Sequence, residues 1–150
     1  MEYWRGFALW RRALNGFNES VDPRELKVDL EQALHDFNAS STADPKFVDA
    51  RIGAGSSLSN LMFLSRGNPT RMKELIAQAN DVLKQAKMDA PDNPRLYWVL
   101  GSNLWYAPPE RGGSQTGAIE MYQKGLDLIS NEKTHATDPY SLPGANRNSS

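Results

Sequence analysis

Two stretches of the sequence repeat one pattern: residues 33–45 read ALHDFNASSTADP and residues 79–91 read ANDVLKQAKMDAP. Each begins with Ala, has a bulky apolar residue four positions later and ends with Pro, and the two are 46 positions apart. Gly55 and Gly101 keep the same separation. Periods of about 20 to 50 residues are typical of solenoids, in which each helix pair buries its apolar face against the next. The repetition therefore predicts a repeat protein.

Proline follows a helix-capping residue at four places, and each of these predicts a helix start. Asp and Asn side chains accept hydrogen bonds from the free amides of a first turn, and Pro lacks an amide hydrogen that would be unpaired there. Together with apolar residues at helical spacing, the four places predict six helices and no strand. The four places are Asp22-Pro23, Asp44-Pro45, Asn68-Pro69 and Asn93-Pro94, and the predicted helices are Glu2 to Asn18, Arg24 to Ser40, Pro45 to Arg66, Pro69 to Asp89, Pro94 to Tyr106 and Gln115 to Ser130.

The end of the chain differs in composition from the rest. Residues 131–150 lack apolar periodicity and are rich in Asn, Ser, Thr, Pro and Gly, so they cannot bury enough surface to offset the entropy of ordering. The sequence therefore predicts an all-α domain at 1–130 and a disordered tail at 131–150. Within the domain, three antiparallel helix pairs are expected at about 2–40, 45–89 and 94–130.

Length and charge narrow the classes of function. The chain has 150 residues, with 17 Lys and Arg against 18 Asp and Glu. Because this balance gives no excess positive field, no nucleic-acid partner is expected. No apolar stretch approaches the roughly 20 residues of a membrane-spanning helix, so a soluble protein without membrane insertion is expected. Cysteine is absent, which excludes disulfides and leaves the compartment open.

Residues that could perform chemistry are few. His35 and His135 are the two histidines, and neither has a further ligand at metal-binding spacing. Gly112-Gly113 lacks the Lys and Ser or Thr of a phosphate-binding loop and is predicted to join two helices. We therefore expect no catalytic residue, no metal, no cofactor and no enzyme.

A series of bulky and small residues recurs in the predicted pairs. It comprises Tyr97, Leu100, Gly101, Leu104, Ala118, Tyr122 and Gly125 in the last pair, Ala79, Leu83, Ala86 and Pro91 in the middle pair, and Ala33, Phe37, Ser40 and Pro45 in the first. This series resembles the tetratricopeptide repeat, in which small residues let the two helices of a pair approach closely. The resemblance covers roughly residues 3–130 and implies an α-solenoid of three helix pairs.

The sequence also departs from the usual repeat of about 34 residues. A Gly-Gly loop at 107–113 lengthens the last pair, which is similar to long-repeat bacterial members of the family that are exported. This similarity implies an exported or periplasmic protein, with a cytoplasmic one as the alternative, although the start of the chain does not read as a signal peptide. In the first helix Trp4, Phe7 and Ala8 fit the pattern, but Arg11 stands where a bulky apolar residue belongs.

In this family the first helix of each pair lines a concave groove, and the resemblance implies a scaffold that binds a peptide segment or partner protein there. Aromatic and Arg side chains, which are enriched at interface hot spots, are prominent in the last pair. The alternative for Trp98 and Trp105 is packing as core residues against the Pro108-Pro109 loop. Carried over through the matched positions, the groove comprises Arg95, Trp98, Ser102, Trp105 and Tyr106 in the last pair and Asp49, Ser56 and Asn60 in the middle one.

A second interpretation is a structural fragment of a longer solenoid that positions a neighbouring domain and has no ligand of its own. The first helix begins without a capping residue, which favours the fragment. Partial exposure of Trp98 and Trp105 would favour the binding scaffold. The sequence leaves the partner's identity and the oligomeric state open.

Overall fold

The computed structural model describes residues 2–135, with side chains described to residue 132. The regular secondary structure of this part of the chain is all helical, without a strand, as the sequence predicts. It divides into two compact units, Met1–Pro91 and Asp92–Ser150, the first containing α1 to α4 and the second α5 and α6. The helices are α1 (Glu2–Asn18), α2 (Pro23–Ala43), α3 (Val48–Leu64), α4 (Pro69–Asp89), α5 (Pro94–Tyr106) and α6 (Gln115–His135), with a single 3-10 turn at Pro109–Arg111.

Three of the four predicted helix starts are confirmed. The side chains of Asp22, Asn68 and Asn93 each accept a hydrogen bond from a backbone amide in the first turn of the helix that follows. The start predicted at Asp44-Pro45 is wrong. The Asp44 amide donates to the Ser40 carbonyl and ends α2, while its carboxylate accepts from the Lys46 amide at 3.2 Å.

Several helix ends also differ from the prediction. Because Asp44 ends α2, this helix runs three residues past Ser40 to Ala43, and α3 extends over Val48–Leu64 instead of Pro45 to Arg66. α6 continues to His135, so the predicted boundary at residue 130 and the tail predicted from residue 131 are wrong for 131–135. Residues 136–150, the remainder of that tail, lie outside the described residues.

α3 is the central helix of the first unit. Both α2 and α4 pack on it, and α1 also contacts it. Leu58 and Leu61 of α3 are buried in one core with Leu30 of α2 and Leu75 of α4. A helix that has neighbours on several sides must be apolar or small on each of them, and the buried residues of α3 are Ala50, Ile52, Ala54, Gly55, Ser57, Leu58 and Leu61.

A glycine marks the closest approach of the two helices in the second and third pairs. An added Cβ at Gly55 of α3 would lie 2.5 Å from the Leu83 side chain of α4. An added Cβ at Gly101 of α5 would lie 2.7 Å from the Tyr122 ring of α6. Since no larger residue fits without displacing its neighbour, the 46-residue repetition of glycine follows from the packing of each pair.

The first pair makes the equivalent contact at Gly6. An added Cβ there would lie 3.2 Å from the Ala33 carbonyl oxygen and 3.6 Å from the Phe37 ring of α2. Ala8, by contrast, is exposed. The assignment of Ala8 to the pattern is therefore wrong, because the helix turns Gly6 towards α2.

We expect Gly101→Leu to lower the free energy of unfolding by about 1 to 3 kcal/mol, because the new side chain would overlap the Tyr122 ring and the Ala118 backbone. Ala79→Leu should have a similar effect, since Ala79 is buried in the core of the first unit. Gln123 is exposed on α6, and its replacement by Leu should change stability by no more than about 0.5 kcal/mol. Denaturant titration measures all three, and equal losses would contradict the assigned contacts.

Two ion pairs hold α1 and α2 in antiparallel register. Arg5 donates two hydrogen bonds to the Asp36 carboxylate at 2.7 and 2.6 Å, and Arg12 makes the same contacts with Asp29. The Asp36 side chain is 0% exposed, whereas that of Asp29 is 15% exposed. The hydrogen bonds from Arg5, with help from Gln32, hold the pKa of Asp36 below its ordinary value against the opposing effect of burial. Asp36 is therefore a charged side chain without solvent exposure that Arg5 neutralises.

In the second unit, α5 and α6 pack against each other around the loop that follows α5. The Ser114 hydroxyl accepts a hydrogen bond from the Gly117 amide at 2.9 Å in the first turn of α6. Gly112 has a φ of 86°, and an added Cβ at Gly113 would lie 1.8 Å from the Ala107 carbonyl oxygen. The prediction that this Gly-Gly sequence joins two helices is confirmed.

Candidate binding faces

The aromatic residues predicted on α5 are partly exposed. Trp98 is 43% and Trp105 41% exposed, and Tyr106 is more exposed than either. The Trp98 ring lies 5.3 Å from the Tyr122 ring of α6, measured between centroids. Ser102, one turn after Trp98, is within 3.1 Å of the Tyr122 hydroxyl. The prediction of partial exposure is confirmed, and α6 supports one side of Trp98.

The residues predicted on α3 are half-buried, and one of them already has a partner. Asp49, Ser56 and Asn60 are all of intermediate exposure. The Asn60 side-chain oxygen accepts a hydrogen bond from the Trp10 indole of α1 at 3.2 Å. Asn60 therefore positions an aromatic residue of the neighbouring helix. Arg95, the remaining predicted residue, is exposed at the start of α5.

An aromatic series on α1 was not among the residues predicted to line the groove. Trp4 is 66% exposed, and Phe7 is also exposed. The ring centroids of Trp4 and Phe7 are 6.0 Å apart, and those of Phe7 and Trp10 are 5.8 Å apart. The spacing of Trp4, Phe7 and Arg11 on one helical stripe is the sequence signal that indicates this surface.

The end of α3 continues the aromatic surface. Phe63 is exposed, and its ring centroid lies 5.8 Å from that of Phe17 of α1. The Arg66 guanidinium carbon is 4.1 Å from the centre of the Phe63 ring, within cation–π distance. We define the α1–α3 face by its exposed residues, which are Trp4, Phe7, Arg11, Phe63 and Arg66.

Exposed aromatic and exposed aliphatic side chains lie on different helices. Within the described residues, every exposed aromatic side chain belongs to α1, α3 or α5, the first helices of the three pairs. Every exposed large aliphatic side chain belongs to α2, α4 or α6. The aromatic residues are Trp4, Phe7, Phe63, Trp98, Trp105 and Tyr106, and the aliphatic ones are Val28, Met88, Ile119 and Leu126.

The arginines of the first unit differ in whether they have a carboxylate partner. Five of its seven arginines form ion pairs with carboxylates. Among the side chains that the structure describes, Arg11 and Arg66 have no carboxylate within ion-pair distance, and both are exposed on the α1–α3 face. The five pairs are Arg5–Asp36, Arg12–Asp29, Arg24–Asp22, Arg51–Asp89 and Arg71–Glu74.

Other ionisable groups are dispersed. His35 is exposed on α2, with its Nδ1 atom 3.5 Å from the Asp36 carboxylate that Arg5 already binds. No group of three potential metal ligands occurs among the side chains described up to residue 132. Across the described helices, none combines the length and apolar character needed to cross a membrane.

Comparison of the chain with family models, curated proteins and solved structures finds no match. The resemblance to the tetratricopeptide repeat therefore stays a prediction from the sequence.

Proposed function

We propose that the chain is a protein-binding scaffold of tetratricopeptide-like helix pairs. It takes a peptide segment of a partner protein on the exposed aromatic faces of the first helices, α1, α3 and α5. The observation that supports this proposal most strongly is the division of exposed apolar residues, with aromatic side chains on first helices and aliphatic ones on second helices. A scattered set of surface apolar residues needs no explanation, but this arrangement follows the helix order.

Aromatic side chains suit recognition because they offer large contact areas with few rotatable bonds. Tyr, Trp and Arg dominate interface hot spots, where truncation costs about 2 kcal/mol or more. On α5, Trp98, Trp105 and Tyr106 provide such groups, and the polar tips of these rings can pair with a peptide backbone. We propose these α5 residues as the contact surface of the second unit and the α1–α3 face as that of the first.

A selection from a random peptide library displayed on phage tests the proposal, with the full chain as bait. We expect peptides to be enriched by the wild-type chain and lost when Trp4 and Phe63 are both replaced by Ser. The control variant replaces Val28 and Met88 by Ser, because these exposed aliphatic residues lie on second helices. Absence of enriched peptides, or equal loss with the two variants, would contradict the proposal.

A second function is favoured by one observation on α6. Ile119 and Leu126 are both exposed and are seven residues apart, so they form an apolar stripe on the exposed side of α6. A structural fragment of a longer solenoid would cover this stripe with the next helix pair. If this stripe is an uncovered packing surface, the chain should associate with itself through it, and replacing both Ile119 and Leu126 by Lys should abolish the association measured by sedimentation. That result, together with a library that enriches no peptide, would favour the structural function over the binding function.

A further inference from the structure

The α1–α3 face combines exposed aromatic rings with two arginines that lack acidic partners. In the rest of the first unit, each arginine is neutralised by a carboxylate of the chain itself. Arg11 follows Phe7 by one helical turn, and Arg66 lies over the Phe63 ring. Within the first unit, the guanidinium groups that lack a carboxylate partner are therefore confined to the surface where aromatic side chains are exposed.

This charge pattern specifies a partner of the opposite sign. Guanidinium groups form charge-assisted hydrogen bonds with carboxylates, often in bidentate geometry. Aromatic rings beside them bury apolar side chains. The Arg66 Nε atom donates to the Phe63 carbonyl at 3.1 Å, and the two terminal NH2 groups remain to bind a carboxylate. The face is thus suited to a segment in which acidic residues stand next to apolar ones.

We infer that the α1–α3 face binds an acidic and apolar segment of a partner protein, an inference that rests on the proposed function. The carboxylates of the segment pair with Arg11 and Arg66, and its apolar side chains cover Trp4, Phe7 and Phe63. Helix α1 is about 21 Å long from Trp4 to its last residue, Asn18, at about 1.5 Å per residue. An extended chain covers that length with about six residues.

Other anionic partners fit the surface less well. The formal net charge of the chain is −1, so long-range attraction to a nucleic acid or an anionic membrane is weak. Two arginines also neutralise few phosphates compared with the six to ten contacts that are typical of strong DNA binding. A short protein segment needs only a local match of charge.

The same displayed library tests this inference through the composition of the selected peptides. We expect an excess of Asp and Glu beside apolar residues, and we expect Arg11→Gln combined with Arg66→Gln to weaken binding of a selected, fluorescently labelled peptide about tenfold. The control combines Lys27→Gln with Lys84→Gln, which makes the same change in charge at exposed positions of α2 and α4. Fluorescence anisotropy at low and high salt measures both, and the wild-type affinity should fall with salt.

The outcomes separate this inference from the proposed function. Enriched peptides without excess Asp and Glu, or equal weakening by the Gln variants of Arg and Lys, would overturn the acidic partner and leave the scaffold function intact. Absence of any enriched peptide would overturn both. Tight binding of phosphatidylserine vesicles or labelled oligothymidine, with no acidic peptide selected, would also overturn the inference. Thermal unfolding followed by circular dichroism confirms that each variant is folded.

Discussion

Replacing Arg5 by Met should lower the free energy of unfolding at neutral pH, because it leaves the Asp36 carboxylate without its cation. The Asp36 side chain is 0% exposed and receives both Arg5 hydrogen bonds. Gln32 remains as a donor at 3.1 Å, but an amide cannot neutralise the charge. Denaturant titration of the wild type and the variant measures the difference.

Arg12→Met is the matched control, since Arg12 lies on the same helix and binds Asp29 with the same geometry. Asp29 retains access to water, so the loss should be clearly smaller than for Arg5→Met. Changing Arg5 to Met together with Asp36 to Leu should recover most of the stability, because no charge is then buried. Equal losses in the two single variants would show that burial of Asp36 does not decide the effect.

The acid dependence of the same variants provides an independent measurement. Arg5 lowers the pKa of Asp36 in the folded protein, so the stabilisation by this pair is complete above the unfolded value of about 3.9 and is lost as pH falls through the folded value. In Arg5→Met the carboxylate can escape its burial cost by taking up a proton. The stability difference between the wild type and Arg5→Met should therefore shrink as pH falls below about 4. A difference that is constant with pH would contradict the assigned charge.

Local sequence signals predict a helix start correctly where the capping residue serves only the helix that follows it. The cap-and-proline pairs at Asp22, Asn68 and Asn93 fix three helix starts, and α4 and α5 have the predicted bounds. Asp44-Pro45 is the same kind of pair, but the Asp44 amide ends the preceding helix and the Asp44 side chain accepts from the Lys46 amide in a turn. The difference depends on the length of α2 and not on the two residues themselves.

The binding surfaces could be predicted only in part, because they depend on contacts between distant residues. Trp10 and Asn60 are 50 positions apart, and Phe17 meets Phe63 across a similar separation. Their pairing requires the register of α1 on α3, which no local pattern contains. The identification of Arg66 as an unpaired arginine likewise requires knowledge of every other ion pair in the unit.

Trp98→Ala and Trp105→Ala should each weaken the binding of a library-selected peptide that contacts α5 by about 2 kcal/mol or more, which is roughly a 30-fold rise in Kd. Both side chains are partly exposed on α5 and are separated by seven residues, so they lie near one stripe two turns apart. Truncation removes contact area that a partner would cover. Fluorescence anisotropy titration measures the affinities, and far-ultraviolet circular dichroism should show unchanged helix content.

Exposed Ile119 and Leu126 on α6 provide the control, because their replacement by Ala removes apolar surface from a second helix and should leave the affinity unchanged. Acrylamide quenching gives a second measurement in a chain whose Trp4 and Trp10 are replaced by Phe, so that emission comes from Trp98 and Trp105 alone. Quenching should be substantial in the free protein and should fall when the peptide is added, because a bound segment excludes the quencher from both rings. If binding survives both Trp→Ala changes but is lost with the variants of the α1–α3 face, recognition is confined to the first unit. If Trp98→Ala instead unfolds the chain, the contact of Trp98 with Tyr122 serves the packing of α5 on α6, and α5 is not a binding surface.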